Sequence, residues 1–287
     1  MIFESFRLRF FSCLLAALVL VPSYAAAEDT LSWGVFNFPP FQIIEEPHKG
    51  SGSFDGELQT LIARMPEFKH QVVTMSFARR REEFMAGTNF CTPGMFRSPA
   101  AALKLAISVP ALTHLDNRVI FLKDKAHLFG NSDPINLDTL FNNKKLVGAV
   151  VAGRSYSPNI DDTIKHFRGS LNLMIRPLEA TQLFQMLLSG DVDYLILFPH
   201  EARYLADKFE VVDQITNRQI KGTPPYIYTH VTCTGNDWGR ATINKINAVL
   251  LAERNQPNYR SFSERWYPPE DQQRIRRYYP AMLQEHR

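Results

Sequence analysis

Cysteine is scarce in this chain of 287 residues: there are three, none in a Cys-x-x-Cys pair, and the eight histidines lie scattered. No Cys/His spacing of the kind that holds a structural metal is present, which removes metal centres and dithiol redox chemistry from the candidate classes. A dense block of one charge is missing as well. The net charge is +3, and the Arg79-Arg80-Arg81 run is followed at once by Glu82-Glu83, the pattern of a solvated helix start. Nucleic acid is therefore excluded as an expected partner. There is no internal repeat and no low-complexity stretch. Only one long apolar run exists, Phe10 to Val21, and its dozen or so residues fall short of the roughly 20 that a membrane-spanning helix needs.

What is present begins with that run. Arg7 and Arg9 precede it and Ala25-Ala26-Ala27 follow it, the order of a cleavable secretory signal with its cut after Ala27. Cys13 sits inside the run, so a lipid-modified cysteine at the cut is not expected. About 260 residues then remain, enough for two lobes of ordinary size. Of the cysteines only Cys91 and Cys233 survive processing, and an oxidising compartment favours one disulfide between them over two buried thiols.

Hydrophobic periodicity predicts strands over Leu31–Phe38, Gln71–Phe77 and Phe90–Met95, with helices over Glu57–Met65 and Arg79–Gly87 between them. A second series follows: strands over Asn117–Lys123, Leu146–Ala152, Leu173–Arg176 and Tyr194–Phe198, and helices over Leu137–Phe141, Ser157–Phe167 and Thr181–Ser189. Proline near the start of the Ser157 helix and Gly190 after the Thr181 helix are the expected punctuation. Tyr226–Cys233 returns as a strand, Trp238–Arg254 is a long amphipathic helix, and the tail from Ser261 adds one or two helices. Strands alternating with helices indicate α/β layers.

Several segments together resemble the periplasmic solute-binding proteins of the amino-acid type, family 3, as a divergent member. They are Trp33-Gly34-Val35-Phe36-Asn37-Phe38-Pro39-Pro40-Phe41, Gly94-Met95-Phe96-Arg97-Ser98-Pro99 with Ala102, Ser108 and Pro110, Gly148 to Tyr156, the turn Gly190 to Tyr194, and Tyr226 to Cys233. The resemblance implies a two-lobed type II binding-protein fold, each lobe a mixed or parallel sheet flanked by helices, joined by a two-segment hinge. Residues 28–117 with 224–287 would form lobe 1 and residues 118–223 lobe 2, with hinges near His114–Asn117 and Gly222–Pro225. It also implies a monomer in the periplasm, without cofactor, that delivers a small molecule to an inner-membrane ABC permease or signals to a membrane sensor.

Carried over position by position, the ligand-binding set is Phe38, Phe41, Phe77, Gly94, Met95, Phe96, Arg97, Ser98, Arg154, Ser155, Tyr156 and Phe198. Aromatics would pack on the ligand, and the Arg154–Tyr156 helix start would offer N–H groups to an anion. Trp33 would lie close enough to report binding. Two charges of the family pattern are absent, because Ala101 stands at the arginine position and Phe198 at the aspartate position. A buried zwitterion would then lack its partners, so a plain α-amino acid is not the expected ligand. Two rivals stand beside this reading: an enzyme of dehydratase or lyase type on the same scaffold, for which Glu57, His200 and Glu201 are the nearby titratable groups, and a lobe pair whose cleft is plugged by Phe96, Tyr156 and Phe198.

Overall fold

The computed structural model describes residues 29–97 and 104–285. The first sheet has the order β2-β1-β3-β10-β4, in which β1 (Thr30–Val35), β2 (Lys69–Thr74) and β3 (Cys91–Met95) run parallel. Against them β10 (Ile227–Thr234) pairs antiparallel with both β3 and β4 (Leu105–His114). The second sheet has the order β7-β6-β8-β5-β9, with β6 (Gly148–Val151), β7 (Leu173–Arg176) and β8 (Tyr194–Leu197) parallel. Its β5 (Arg118–Leu122) lies antiparallel between β8 and β9 (Ile215–Gln219). Two mixed sheets flanked by helices are the architecture that the pattern predicts.

Each sheet has its own core. Leu31, Trp33, Leu61, Leu112, Val231 and Ile246 belong to the first. The second is apolar on both faces, with Val119, Phe141 and Tyr194 on one and Ile120, Phe184 and Leu195 on the other. Burial on both faces is why β6 and β8 read as continuous apolar runs. The chain crosses between the sheets through residues 115–117 and returns through 220–226. The C-terminal helices α8 (Pro257–Glu264) and α9 (Pro269–Gln284) brace the first crossing. Tyr267 between them accepts a hydrogen bond at its hydroxyl from the Leu115 N–H (3.1 Å), and Ser263 Oγ accepts one from the Thr113 N–H (3.0 Å).

Cys91 and Cys233 are direct register partners on β3 and β10 and form a disulfide. It ties the returning chain to the first half of lobe 1, and the loop it closes contains both crossings.

Four local expectations are corrected. The strand predicted to reach Phe77 ends at Thr74, and Phe77 opens α2 (Phe77–Ala86), whose Ser76 cap accepts from the Arg79 N–H at 3.2 Å. Helix α1 (Ser53–Arg64) starts four residues before Glu57. Gly56 lies within it because the Phe262 ring stands 2.6 Å from where a Cβ would be, which leaves room only for glycine. Strand β4 was not expected. It forms because β4 is an edge strand and its pairing with β10 shifts register beside Pro110, a place where the missing N–H does no harm. Helix α6 (Pro199–Lys208) was also not expected, although Pro199 at its first position and Ala202, Leu205 and Ala206 on one face are ordinary helix signals.

Candidate functional site

The boundary between the lobes is built from the loop after β1 on one side and from the starts of three lobe-2 helices on the other. In lobe 1 a tight turn closes when Phe38 and Gln42 exchange backbone hydrogen bonds of 2.9 Å. The turn separates two aromatics: Phe41 goes into the core, and Phe38 stays half-buried at the boundary. Phe36 stacks near Phe77 (4.5 Å between centroids), Phe38 lies 5.8 Å from Phe77, and the Arg80 guanidinium covers Phe36 and Phe77 at 5.0 and 5.2 Å.

In lobe 2 Arg154 follows β6 and is almost fully buried. Its two terminal nitrogens donate to the two oxygens of Glu201 on α6, each at 2.7 Å, in a bidentate pair. Its guanidinium lies 4.7 Å from the Phe38 ring of the opposite lobe, 4.6 Å from Tyr156 and 5.4 Å from Phe198. The start of α4 (Pro158–His166) is likewise occupied from within. Asp161 accepts from the Tyr156 N–H (2.8 Å) and from the exposed Ser155 hydroxyl (2.5 Å). Tyr156 is buried, its hydroxyl accepts from the Val151 N–H (2.7 Å), and burial pushes the phenol up to about 12. The charge and N–H groups expected to meet a ligand anion are therefore engaged by Glu201 and Asp161.

Phe198 precedes α6 and is completely buried, yet it belongs to the core of lobe 1, 4.9 Å from Phe41 and 6.1 Å from Phe96. His200 follows it across the boundary. It lies 4.3 Å from Phe41 and 4.2 Å from Tyr267, and stacks on His114 at 5.7 Å with only 6° between the rings. Neither imidazole has a hydrogen-bond partner among the described residues. Burial holds His114 down at about 3 and His200 well below the usual imidazole range, with His114 and Arg154 adding to the second effect. Phe41, Phe198, His114 and His200 make a buried seam.

Two cavities flank the seam. One, of about 320 Å³, lies between Phe36, Phe38, Met75 and Phe77 of lobe 1 and Arg154, Pro177, Thr181 and Gln182 of lobe 2. It shares Asn37, Pro39, Glu179, Thr181 and Gln182 with an outer chamber of about 680 Å³. The other, of about 340 Å³, is lined by Phe96, Arg97, Pro110, Tyr226 and His230. The candidate residues are thus divided. Phe38, Phe77 and Arg154 meet at the first cavity, Phe96 and the exposed Arg97 at the second, and Phe41, Tyr156 and Phe198 are packed between. Gly94 and Met95 shape the end of β3. Gly94 has φ +76°, and a Cβ there would stand 2.1 Å from the Phe54 ring, so the position requires glycine. Ser98 lies outside the described residues, as does the 1–27 segment.

Sequence reasoning missed Phe36, Thr181 and Gln182. The last two open α5 (Ala180–Ser189), and the one signal pointing to them is that α/β ligands gather at helix starts beside the carboxyl ends of strands. Trp33 is corrected: it is buried in lobe 1 with its Nε1–H donating to His70 (3.0 Å), while Trp266 stands at the outer chamber. Among the described residues no hydrogen bond joins any two of Glu57, His200 and Glu201. Glu57 is buried without a partner, and burial raises its carboxyl to about 8.

No protein-family model matches the chain, and no curated protein matches it in sequence. Solved structures do match in shape. A histidine kinase sensor domain with similarity to periplasmic binding proteins superposes with a TM-score of 0.65 at 12% identity, over 83% of this chain and 95% of that one. A structure from glutathione import via GshT and the cystine ABC importer of Streptococcus mutans gives 0.65 at 13%, over 86% and 100%. The fold is that of the type II periplasmic binding proteins. An ancestral amino acid-binding protein described as a precursor of cyclohexadienyl dehydratase shares this binding-protein fold at a TM-score of 0.61 and 17% identity, over 83% and 95% of the two chains. No helix among the described residues is long and apolar enough to cross a membrane.

Proposed function

We propose that this protein is an exported solute-binding receptor, a divergent relative of the amino-acid type, that captures a compact small molecule between its lobes by hinge closure. The observation that carries this reading is the cavity of about 320 Å³ with one wall from each lobe: Phe36, Phe38 and Phe77 against Thr181 and Gln182. A ligand touching both walls gains contacts only when the lobes are together, and that difference in affinity is what drives closure. The crossings at 115–117 and 220–226 supply the hinge, and the boundaries 28–117 with 224–287 and 118–223 follow from them.

The ligand this site suits is not a plain α-amino acid. Arg154 is neutralised by Glu201, and the donors at the start of α4 are held by Asp161. Aromatic walls and the amide of Gln182 favour a flat or apolar body with few hydrogen-bonding groups. The bound form would be passed to a membrane permease or read by a membrane sensor. The mature protein, screened by thermal shift against a broad metabolite set, is expected to gain melting temperature with a narrow chemical class. Silence across the set contradicts the reading.

A further inference from the structure

The outer chamber differs chemically from the aromatic cavity it adjoins. Its carboxylates come from both lobes: Glu45 and Glu46 from lobe 1, Glu179 and Asp207 from lobe 2, with Lys208 as the one cation in the wall. Glu45 accepts from the Asn37 side chain at 3.1 Å, and Asp207 pairs with Arg203 at 3.1 Å. Glu46 and Glu179 have no ion-pair partner among the described residues. Trp266 of lobe 1 meets Tyr204 of lobe 2 edge to face at 5.2 Å, and His48 packs on the indole at 5.1 Å. Carboxylates of two lobes facing one chamber repel one another as the lobes approach, and a cation between them reverses the sign of that term. Aromatic faces add attraction for the same charge.

We infer that the outer chamber is a subsite for an organic cation, an ammonium or quaternary ammonium group, held between the carboxylates of both lobes and the Trp266 and Tyr204 rings while its apolar body enters the inner cavity. This rests on the receptor reading given above and names the ligand class for it. The like charges become part of the closing device, since a bound cation offsets their repulsion and favours the closed arrangement.

Benzyltrimethylammonium, with benzoate as the anionic and benzyl alcohol as the neutral counterpart, tests the assignment by calorimetry and by Trp266 fluorescence on the mature protein. The cation is expected to bind saturably at least tenfold more tightly than either counterpart. Its affinity should fall with added salt, and about tenfold or more in the Glu46→Gln, Glu179→Gln double variant, whose side chains are exposed and whose melting temperature should be unchanged. Equal or tighter binding of benzoate, or a double variant that binds the cation as the wild type does, overturns the cation assignment. So does an absence of saturable binding of all three probes at millimolar concentration. Should benzyl alcohol or benzoate bind as tightly as the cation and Phe38→Ala abolish that binding, the cation assignment falls while the interlobe receptor reading stands. The two failures are therefore distinguishable.

Discussion

The boundary between the lobes has two halves of opposite character. At the seam, Phe41, Phe198, His114 and His200 are buried against one another, although His200 and Phe198 come from lobe 2 and the others from lobe 1. At the cleft, Phe38 and Phe77 face Thr181 and Gln182 across open volume. On the proposed receptor reading, the seam acts as a pivot that stays assembled and the cleft as the jaw that a ligand closes. Apolar burial decides the first, and whatever fills the cavity decides the second.

If that contrast is right, substitutions at the seam cost stability and those in the cleft cost binding. The largest stability effects belong to the buried pair and the inserted ring. Arg154→Met leaves Glu201 as an uncompensated buried carboxylate and should cost about 3–5 kcal/mol by denaturant unfolding. Replacing both partners with apolar residues should restore most of the loss. Phe198→Ala should likewise cost about 3–5 kcal/mol, because a fully buried ring is removed from the other lobe's core. A loss below about 1 kcal/mol would show that the seam is not packed in solution.

Next comes pH. The seam imidazoles are neutral in the fold, whereas the unfolded chain takes up protons near the ordinary histidine value, so the unfolded state binds more protons below about pH 6.5. The stability this confers is full above that value and declines as pH falls toward the His114 value of about 3, by up to about 1.4 kcal/mol per pH unit for each ring. Phe41, Phe54, Phe198 and Tyr267 face the two rings, and Arg154 is the charged group that acts on His200. A His200→Phe variant should lose the His200 share of the acid slope between pH 4 and 6.5, leaving the shares of His114 and of buried His230, which is held down to about 4, while a cleft variant leaves the slope unchanged. The smallest effect is on the exposed side: Arg97→Ala should alter stability by less than about 0.5 kcal/mol.

Much of this contrast could be read from local sequence, and the rest could not. Strands β6 and β8 and the helices after them announce themselves by apolar runs and by proline and glycine at their ends. The Cys91–Cys233 bridge follows from having two cysteines in a chain expected to be exported, and register shows that the strands carrying them are neighbours. Phe38 and Phe77 were placed at a cavity by their position in the order of elements. What stayed hidden depends on contacts 40 or more residues apart. The bond of Arg154 to Glu201 spans 47 positions and turns a presumed anion-binding arginine into a neutralised one. Phe198 looks like the end of a lobe-2 strand, yet its ring is core to lobe 1. Strand β4 was hidden for a different reason: Pro110 is tolerated there because the strand is at the edge of its sheet, and edge or centre is a tertiary fact.

The central claim is that one ligand is held by both lobes at once. Its most direct test is a thermal-shift titration of a single screened ligand against the wild type, Phe38→Ala on the lobe 1 wall and Gln182→Ala on the lobe 2 wall. The account predicts that each variant folds and that each weakens the ligand's shift by tenfold or more in concentration. A ligand whose shift survives both substitutions would contradict it.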